Sequence, residues 1–295
     1  MKWLTFQDGD TVRHGHLDGD EIVVAGEGDL SEVVRGTTTA PAAGAERRTL
    51  AGVRVLAPLL RPGKVLAVAA NYQEHVKEAG KQARDQTTAT PRLFLKPDTT
   101  VTGPDAPVEL NPITQQLDWE VEIAVVIGRR AKGVSVEQAL DHVFGYATSN
   151  DITARSLDLG VERDGEAMTG FFDWLEGKWL DGSAPLGPYL VTADEVADPQ
   201  RLDLSLTVNG EVMQRGSSTD MVHTVAELVS FSSRLMTLNP GDVILTGTPS
   251  GVGATTGRFL KPGDTIVAEV QGLGSLTTPI VAPGQSPAGT SNQPN

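Results

Sequence analysis

The chain has 295 residues, a formal net charge of −14 and no cysteine. Its negative charge argues against binding to nucleic acid or to anionic membranes, because both would repel it. The absence of cysteine excludes disulfides, thiolate metal ligands and thiol nucleophiles. A hydrophobic fraction of 39 % is sufficient for a sizeable core, and the 32 glycines and 18 prolines favour many short elements. These features predict a β-rich, mixed α+β fold.

The first residues do not form an apolar leader, because Asp8 and Asp10 interrupt them. No apolar run approaches the roughly 18 residues that are needed to span a bilayer. We therefore expect a cytoplasmic protein.

The sequence pattern divides the chain into three parts. Residues 1–52 contain short alternating stretches, which predict a small antiparallel β unit, and an Ala/Thr-rich linker at residues 36–44. Residues 53–282 have a denser apolar pattern and form the predicted main domain. Residues 283–295 are rich in Pro, Gly, Ser, Asn and Gln without an apolar period, which predicts a disordered tail.

Apolar periodicity and turn residues locate the elements of the main domain. Gly80 ends the first predicted helix, and the pair Asn209-Gly210 predicts a hairpin turn. The predicted elements in chain order are a strand at 64–70, a helix at 73–79, a strand at 119–127, a helix at 135–143, a strand at 202–208, a helix at 224–236, and strands at 242–245 and 265–270.

Two glutamates lie two positions apart on the strand predicted at 119–127. Glu120 and Glu122 therefore share a face, and the strand continues as an apolar run that enters a core. Adjacent carboxylates at such a place repel each other and are costly to bury, and a divalent cation removes that cost. Oxygen ligands suit Mg²⁺, Mn²⁺ or Ca²⁺ better than Zn²⁺. Taken alone, the pair is more typical of a solvated strand face.

Three further residues carry candidate chemistry. Asp151 follows a strand-like stretch and is a candidate third oxygen ligand or, alternatively, a helix N-cap. His75 and Glu78 are i,i+3 neighbours on the helix predicted at 73–79. A carboxylate beside an imidazole fixes its tautomer and raises its basicity, as a water-activating base requires. A surface salt bridge is the alternative interpretation of this pair.

A lysine and a Gly-rich stretch complete the set. Lys178 lies between Gly177 and Trp179 and is a candidate for stabilising an oxyanion or binding a carboxylate, although an exposed lysine has the same local sequence. Residues 246–253 follow a predicted strand and offer backbone N–H groups to an anion. They lack the Gly-Lys-Ser/Thr ending of a P-loop, and an ordinary turn is the alternative.

Together and in this order, these pieces resemble the catalytic domain of the fumarylacetoacetate hydrolase family. The resemblance is to the shorter bacterial type, whose members include acylpyruvases, isomerases and decarboxylases, and it covers about residues 53–281. The matching segments are Asn71-Tyr72 with His75 and Glu78, residues 94–96, residues 120–122, Asn150-Asp151, Lys178, residues 208–211, residues 240–242 and residues 246–253.

The resemblance implies a β-sandwich roll with peripheral helices, usually assembled as a homodimer. Glu120, Glu122 and Asp151 match the metal-ligand positions of the family. The implied ion is Mg²⁺ or Mn²⁺, with Ca²⁺ as a substitute in crystals.

The resemblance also implies roles for residues around the ion. His75 and Glu78 match the pair that activates water, and Lys178 matches the lysine that meets the developing negative charge of the substrate. The positions implied to bind substrate are Asn71, Tyr72, Lys96 and Thr248.

The implied reaction is hydrolysis of a C–C bond in a small 1,3-dioxo acid such as an acylpyruvate, with the cation as Lewis acid. A decarboxylase, an isomerase or tautomerase, or a dehydratase acting on a related oxo acid would use the same groups. A non-catalytic ligand-binding protein with this fold is a third hypothesis. The presence of all the carboxylates and of the His/Glu pair argues against it.

The sequence departs from the family pattern at two places. Ser156 and Asp158 stand where the resemblance leads us to expect Asp and Gln, so the preferred substrate does not follow from it. Residues 159–175 are longer than in compact members and carry Phe171, Phe172 and Trp174. We predict that this stretch shapes the mouth of the pocket or a dimer contact.

Overall fold

The computed structural model describes residues 1–36, 44–78, 80, 82, 84–85, 88–162 and 164–285. Most of the linker predicted at residues 36–44 lies outside the described residues. The same is true of Ala79 in the first predicted helix and of the predicted tail beyond Gln285. Within the described part of the chain, no helix is both long enough and apolar enough to cross a membrane.

Strands make up most of the regular structure. Numbered in chain order, they are β1 (Lys2–Asp8), β2 (Thr11–Asp18), β3 (Glu21–Glu27), β4 (Arg47–Thr49), β5 (Arg54–Leu56), β6 (Val65–Ala69), β7 (Arg92–Lys96), β8 (Val101–Thr102), β9 (Val108–Glu109), β10 (Leu117–Asp118), β11 (Val121–Ile127), β12 (Val143–Asn150), β13 (Thr153–Ala154), β14 (Ala184–Thr192), β15 (Asp203–Val208), β16 (Glu211–Ser217), β17 (Val243–Leu245), β18 (Thr265–Val270) and β19 (Gly274–Val281).

The helices are short by comparison. They are α1 (Ser31–Val34), α2 (Gln73–Glu78), α3 (Val136–Ala139), α4 (Ala167–Glu176), α5 (Val225–Leu235) and α6 (Gly253–Thr256). Single turns of 3-10 helix occur at Leu50–Gly52, Asp98–Thr100, Leu140–His142, Ala193–Glu195 and Ser218–Asp220.

Two sheets pack face to face and enclose the main core. The larger sheet has the order β4-β3-β2-β1-β14-β12-β11-β17-β6-β7, with β5 on β1 and β8 on β14. The smaller sheet has the order β16-β15-β18-β19-β9. Ile123 of β11, Leu206 of β15 and Ile266 of β18 belong to one buried cluster between the sheets. The predicted β-rich, mixed α+β fold is therefore confirmed.

Strand β11 lies at the centre of the large sheet and is buried on both faces. Val121, Ile123 and Val125 face the smaller sheet, whereas Ala124 and Val126 belong to the cluster on the opposite face. Its partners are β12 and β17, both antiparallel. Burial on both faces explains why the strand is a continuous apolar run.

The predicted strand at 119–127 begins two residues later than expected. Side-chain oxygens, not a neighbouring strand, accept the first backbone N–H groups: Asn150 Oδ1 accepts from Glu120 and Gln214 Oε1 accepts from Val121, at 2.8 and 3.0 Å. Glu120 therefore lies just outside the ladder, held by a side chain of β12.

Other local predictions are confirmed by the structure. The helix predicted at 224–236 forms as α5, and a reciprocal capping box between Thr224 and Glu227 begins it. Asn209 and Gly210 both have positive φ, 52° and 81°, and join β15 to β16 by the predicted hairpin turn.

The predicted N-terminal β unit forms as an antiparallel arrangement of β1, β2 and β3. It also joins the main sheet, because β1 pairs with β14 through Lys2 and Val191. The unit thus extends one edge of the large sheet, and the boundary at residues 52 and 53 stays a prediction.

Candidate active site and metal centre

Three carboxylates from two adjacent strands meet at the end of the large sheet. The ligand oxygens of Glu120, Glu122 and Asp151 all lie within 4.8 Å of one another, and all three side chains are buried. The pairing of β11 with β12 sets Val121 opposite Asn150, and the Asp151 N–H donates to the Glu120 carbonyl at 2.8 Å. The backbone ladder thus brings together the three ligands that the sequence predicted.

Two buried lysines bind two of these carboxylates, Glu120 and Asp151, directly. Lys178 Nζ lies 2.7 Å from Glu120 Oε2 and 2.8 Å from Asp151 Oδ2. Lys96 Nζ donates to Asp151 Oδ1 at 2.7 Å, to the carbonyl of Lys178 and to Ser183 Oγ. Lys96 was predicted to bind substrate, but its contacts place it behind Asp151, where it holds that carboxylate and the Lys178 backbone. Substrate contact by Lys96 stays a prediction.

A third cation completes the cluster and was not assigned a role from the sequence. Arg155 donates to Asp118 Oδ2 at 2.8 Å and to Glu120 Oε1. The pairing of β10 with β13, which sets Asp118 opposite Thr153, brings this arginine to the acid. In the sequence, Arg155 directly follows the segment that supplies Asp151 and is the basic residue closest to it. This closeness in sequence is the signal from which a role for Arg155 could have been predicted.

The local charges perturb the acids in opposite directions. Burial alone would raise the pKa of Glu120, but Lys178 and Arg155 outweigh it and lower that pKa to about 2. Burial raises the pKa of Glu122 well above its usual value, and the neighbouring carboxylates of Asp151 and Glu120 add to the shift. Glu122 is therefore the acid at which positive charge is most lacking.

The donor set fits a divalent cation. Each carboxylate oxygen that accepts a lysine or arginine N–H retains a second lone pair for another partner. The ligands are all oxygen, which suits a hard cation such as Mg²⁺ or Mn²⁺. Such an ion would stabilise the charged form of Glu122, which burial and the two neighbouring carboxylates disfavour. The three side chains that would hold it are those of Glu120, Glu122 and Asp151.

The predicted His/Glu pair forms on α2 and is tied to a distant loop. His75 Nδ1 lies 3.4 Å from Glu78 Oε2. The Gly251 N–H donates to Glu78 Oε1 at 3.0 Å, and Thr255 Oγ1 lies 2.6 Å from the same oxygen. The Gly251 N–H also donates to Glu78 Oε2 at 3.1 Å, so this loop orients the carboxylate that contacts the imidazole. An imidazole held in this way is oriented for proton transfer.

The Gly-rich loop does bind anions, but the anions belong to this chain. The Gly247 N–H donates to Glu122 Oε2 at 2.6 Å, and the Gly253 N–H donates to Asp118 Oδ1 at 2.6 Å. Gly247 has a φ of 93°, and a Cβ there would lie 2.8 Å from the Cβ of Asn71. The loop therefore orients Glu122, a predicted metal ligand, Glu78, the partner of His75, and Asp118, the partner of Arg155. These contacts were not predicted from the sequence.

Two residues predicted to bind substrate are fully buried, Asn71 in backbone hydrogen bonds and Tyr72 in the core. The Asn71 amide donates to the carbonyls of His223 and Thr246, and its oxygen accepts the His223 N–H at 2.9 Å. Tyr72 is 1 % exposed and belongs to the main core cluster. Asn71 thus connects three segments around Gly247, and substrate contact by either residue stays a prediction.

A cavity of about 690 Å³ opens over the acidic cluster. Its lining includes His75, Lys178 and Thr248 of the predicted site, and the three carboxylates form part of its wall. The complete lining in the described part of the chain is Val68, Ala69, Ala70, His75, Val76, Arg92, Leu93, Phe94, Leu95, Glu120, Glu122, Asp151, Arg155, Phe171, Trp174, Leu175, Lys178, Trp179 and Thr248.

Comparison with known proteins agrees with this geometry. The family model for the fumarylacetoacetate hydrolase C-terminal domain matches residues 64–281, and an Rv2993c-like N-terminal model matches residues 1–58. The chain is 42 % identical over 231 residues to oxaloacetate tautomerase FAHD2A, mitochondrial, from Bos taurus. That match covers 78 % of this chain and 70 % of the relative.

Solved structures extend the likeness over nearly the whole chain. The 5-carboxymethyl-2-hydroxymuconate delta-isomerase from Mycobacterium smegmatis is 35 % identical with a TM-score of 0.77, covering 96 % of this chain and 100 % of the other. The maleylpyruvate hydrolase from Sphingobium sp. SYK-6, in complex with manganese(II) and pyruvate, is 29 % identical with a TM-score of 0.75, covering 96 % and 99 %. With a family model matched over most of its length and the same fold as these enzymes, the chain belongs to the fumarylacetoacetate hydrolase family.

Proposed function

We propose that the chain is a divalent-metal-dependent hydrolase that cleaves a C–C bond of a small 1,3-dioxo acid of the acylpyruvate type. The supporting observation is that one cavity contains both the acidic triad and the imidazole of the His75–Glu78 pair. A site that only binds a ligand does not require an oriented base beside its metal ligands. The non-catalytic alternative therefore has no feature in its favour.

We propose Mg²⁺ or Mn²⁺ as the ion held by the triad. When bound, either ion would act as a Lewis acid for the oxygens of a 2-oxo acid. The maleylpyruvate hydrolase solved with manganese(II) and pyruvate supports this choice of ion and of ligand class. Four buried or cavity-facing carboxylates, Asp118 included, oppose three cationic side chains around the site. With all four carboxylates ionised around a divalent ion, the site would carry an excess of one positive charge, which favours an anionic substrate.

The side chains of the chain divide the proposed hydrolysis among them. His75, oriented by Glu78, takes a proton from water, and the hydroxide adds to the distal carbonyl carbon of the substrate. The bond between that carbon and C3 then breaks, and its electron pair passes to the pyruvyl fragment as an enolate. Lys178 stabilises the developing negative charge. The proton held by His75 returns to C3, so one water is consumed and one carboxylic acid and one pyruvate are released.

Keto–enol tautomerisation of a 2-oxo acid is the second candidate. It is favoured by the relative that is named an oxaloacetate tautomerase and is 42 % identical to this chain. The same imidazole would carry a proton between C3 and an enol oxygen without adding water. The two reactions therefore use the same residues and differ in whether solvent oxygen enters the product.

The experiment uses metal-free protein restored with Mg²⁺ or Mn²⁺ and supplied with acetylpyruvate in water enriched in ¹⁸O. Hydrolysis predicts acetate that carries one solvent ¹⁸O atom, and formation of acetate only when metal is present. A protein that leaves acetylpyruvate intact but accelerates conversion of enol oxaloacetate to the keto form would contradict the hydrolase and support the tautomerase.

The assembly and location expected from the resemblance and the sequence are part of the same proposal. We propose a cytoplasmic homodimer. Light scattering of the purified full chain would give twice the mass of the 31.2 kDa protomer. A monomer at micromolar concentration would contradict it.

A further inference from the structure

One side of the cavity differs in chemistry from the acidic cluster. The apolar wall, defined here as Phe94, Phe171, Trp174 and Leu175, is contributed by β7 and α4. It lines the same cavity as the triad, so a single molecule can contact both. The mechanism proposed above uses none of these four residues.

Ring contacts connect the apolar wall into one surface. The rings of Phe94 and Trp174 meet edge to face, with centroids 5.2 Å apart and planes at 71°. The ring of Phe171 lies 6.0 Å from that of Trp174. Lys178 Nζ lies 5.4 Å from the Phe94 centroid, so Phe94 marks the boundary between the charged cluster and the apolar wall. A ligand arm that leaves the acidic cluster past Phe94 therefore meets aromatic and aliphatic carbon.

The apolar wall is anchored at one end and open at the other. Trp174 and Leu175 pack against the buried cluster that contains Ala124 and Val126, whereas the side chain of Phe171 is 52 % exposed. The cavity volume of about 690 Å³ falls within the range of about 300–1,000 Å³ that accommodates drug-sized ligands. An acylpyruvate with a two-carbon acyl group would leave much of this volume unfilled.

Among the described residues that line the cavity, Arg92 is the arginine or lysine that makes no contact with the acidic cluster. Its side chain is exposed. A solvated arginine at a cavity mouth binds a second carboxylate weakly, because water competes for both charges. The chemistry of the wall therefore favours an uncharged, apolar substituent over a dicarboxylic acid.

We propose that the apolar wall is a subsite for the acyl group of the substrate, and that this group is aromatic or bulky and apolar. The proposal rests on the proposed function, because the acidic cluster must bind the 2-oxo acid end for the acyl group to reach the wall. It narrows the substrate class from acylpyruvates in general to those with an acyl arm such as benzoyl.

The chain contains a matched pair of residues for the test. Phe171 and Phe172 are adjacent on α4 and are exposed to a similar extent, 52 and 46 %, but only Phe171 belongs to the cavity lining. Phe171→Ala removes part of the subsite, and Phe172→Ala controls for the loss of an aromatic ring from the same helix. Trp174→Ala serves as a second, larger truncation of the apolar wall.

The measured quantities are kcat/KM and the dissociation constant, in the presence of Mg²⁺, for acetylpyruvate, benzoylpyruvate and succinylpyruvate. We expect the unmodified protein to favour benzoylpyruvate over acetylpyruvate by about 10- to 100-fold, the range for apolar complementarity in a pocket. Phe171→Ala should reduce kcat/KM for benzoylpyruvate about 5-fold and change kcat/KM for acetylpyruvate less than about 2-fold. Phe172→Ala should leave both values unchanged within the error.

Three outcomes would overturn the subsite: preference for succinylpyruvate, preference for acetylpyruvate, or equal losses in the two phenylalanine variants. The dissociation constants separate this result from the proposed reaction. If no substrate is turned over, the hydrolase proposal fails, and the ratio of the two dissociation constants and its change in Phe171→Ala still decide whether the apolar wall binds the acyl arm.

Discussion

The acidic floor of the cavity and its apolar wall are built in different ways. The floor consists of Glu120, Glu122 and Asp151, which lie at the ends of central strands and are at most 5 % exposed. The wall is carried mainly by α4, a surface helix on which Phe171 is half exposed. A substitution on α4 thus changes the cavity without altering the β11–β12 ladder. The groups proposed for chemistry and those proposed for selectivity therefore reside on separable parts of the molecule.

The two regions also differ in how their side chains are oriented. Glu120 and Asp151 each accept hydrogen bonds from two cationic side chains, and Glu122 accepts one from the Gly247 N–H. The wall is held by apolar packing, which includes the ring contact between Phe94 and Trp174 and the packing of Leu175 against the core. Hydrogen-bonded ions have few allowed positions, whereas apolar side chains tolerate exchange for others of similar size. Changes to the floor should therefore affect the reaction strongly, and changes to the wall should affect substrate choice.

The largest expected effect comes from Glu122→Gln. The amide keeps the volume and an acceptor for the Gly247 N–H but removes the negative charge that a divalent ion requires. Among the contacts of the described residues, Glu122 accepts no lysine or arginine, so this change leaves no cation unpaired. We expect metal-dependent kcat to fall about 10³-fold or more, because the ion supplies several kcal/mol to the transition state.

Thermal unfolding distinguishes loss of the ion from loss of the fold. Mg²⁺ or Mn²⁺ should raise the melting temperature of the unmodified protein and not that of Glu122→Gln. Without metal, Glu122→Gln should be at least as stable as the original, because burial beside two carboxylates already disfavours the charged form of Glu122. The control is Glu269→Gln, an exposed carboxylate on β18. Unchanged metal-dependent turnover in Glu122→Gln would refute the metal site.

The second prediction concerns His75, the proposed general base. His75→Gln should lower kcat by about 10²–10⁴-fold, the usual contribution of general acid–base catalysis. It should leave the melting temperature nearly unchanged, because His75 lies on a short surface helix and is partly exposed. Steady-state kinetics on the substrate identified by the isotope experiment would measure the effect, with His142→Gln as the control histidine.

A double variant tests whether His75 and Glu78 act as one unit. If Glu78 works only by orienting the imidazole, His75→Gln combined with Glu78→Gln should cost about as much as His75→Gln alone. Losses that multiply would show that Glu78 has an independent role and would contradict the pairing inferred from the 3.4 Å contact.

The sequence predicts some residues of the acidic cluster and not others. The candidate metal ligands Glu120 and Glu122 could be predicted from period-2 spacing and family order, and Asp151 from its place after a strand-like stretch and the same family order. Arg155 and Asp118 were not assigned, because their ion pair joins residues 37 positions apart and depends on the pairing of β10 with β13. No local pattern encodes a contact of that kind.

For the Gly-rich loop too, the sequence predicts a property but not the distant residues that it contacts. Its capacity to bind an anion was predicted, but its partners Glu122, Glu78 and Asp118 lie 125, 173 and 135 residues away along the chain. The strand boundary at Val121 was missed for a related reason, because side-chain oxygens of Asn150 and Gln214 replace strand partners there. Local periodicity predicts which elements form, and tertiary contacts decide where they begin and what they bind.

The smallest predicted effect tests whether the loop orients the base. Thr255→Val removes the hydroxyl that lies 2.6 Å from Glu78 Oε1, but the Gly251 N–H still donates to that carboxylate. Loss of one of the hydrogen bonds that this carboxylate accepts corresponds to about 1 kcal/mol, so we expect kcat to fall about 5-fold. KM and the melting temperature should change little, because Thr255 is exposed and touches neither the floor nor the wall.

Thr256→Val is the matched control for this experiment. The neighbouring hydroxyl donates to the Gly253 carbonyl within the same short helix, so its removal perturbs α6 without reaching Glu78. Steady-state kinetics of the two variants, measured side by side, should separate them in kcat alone. Equal losses would mean that α6 supports the cavity only as packing, and that Glu78 keeps His75 in place without help from Thr255.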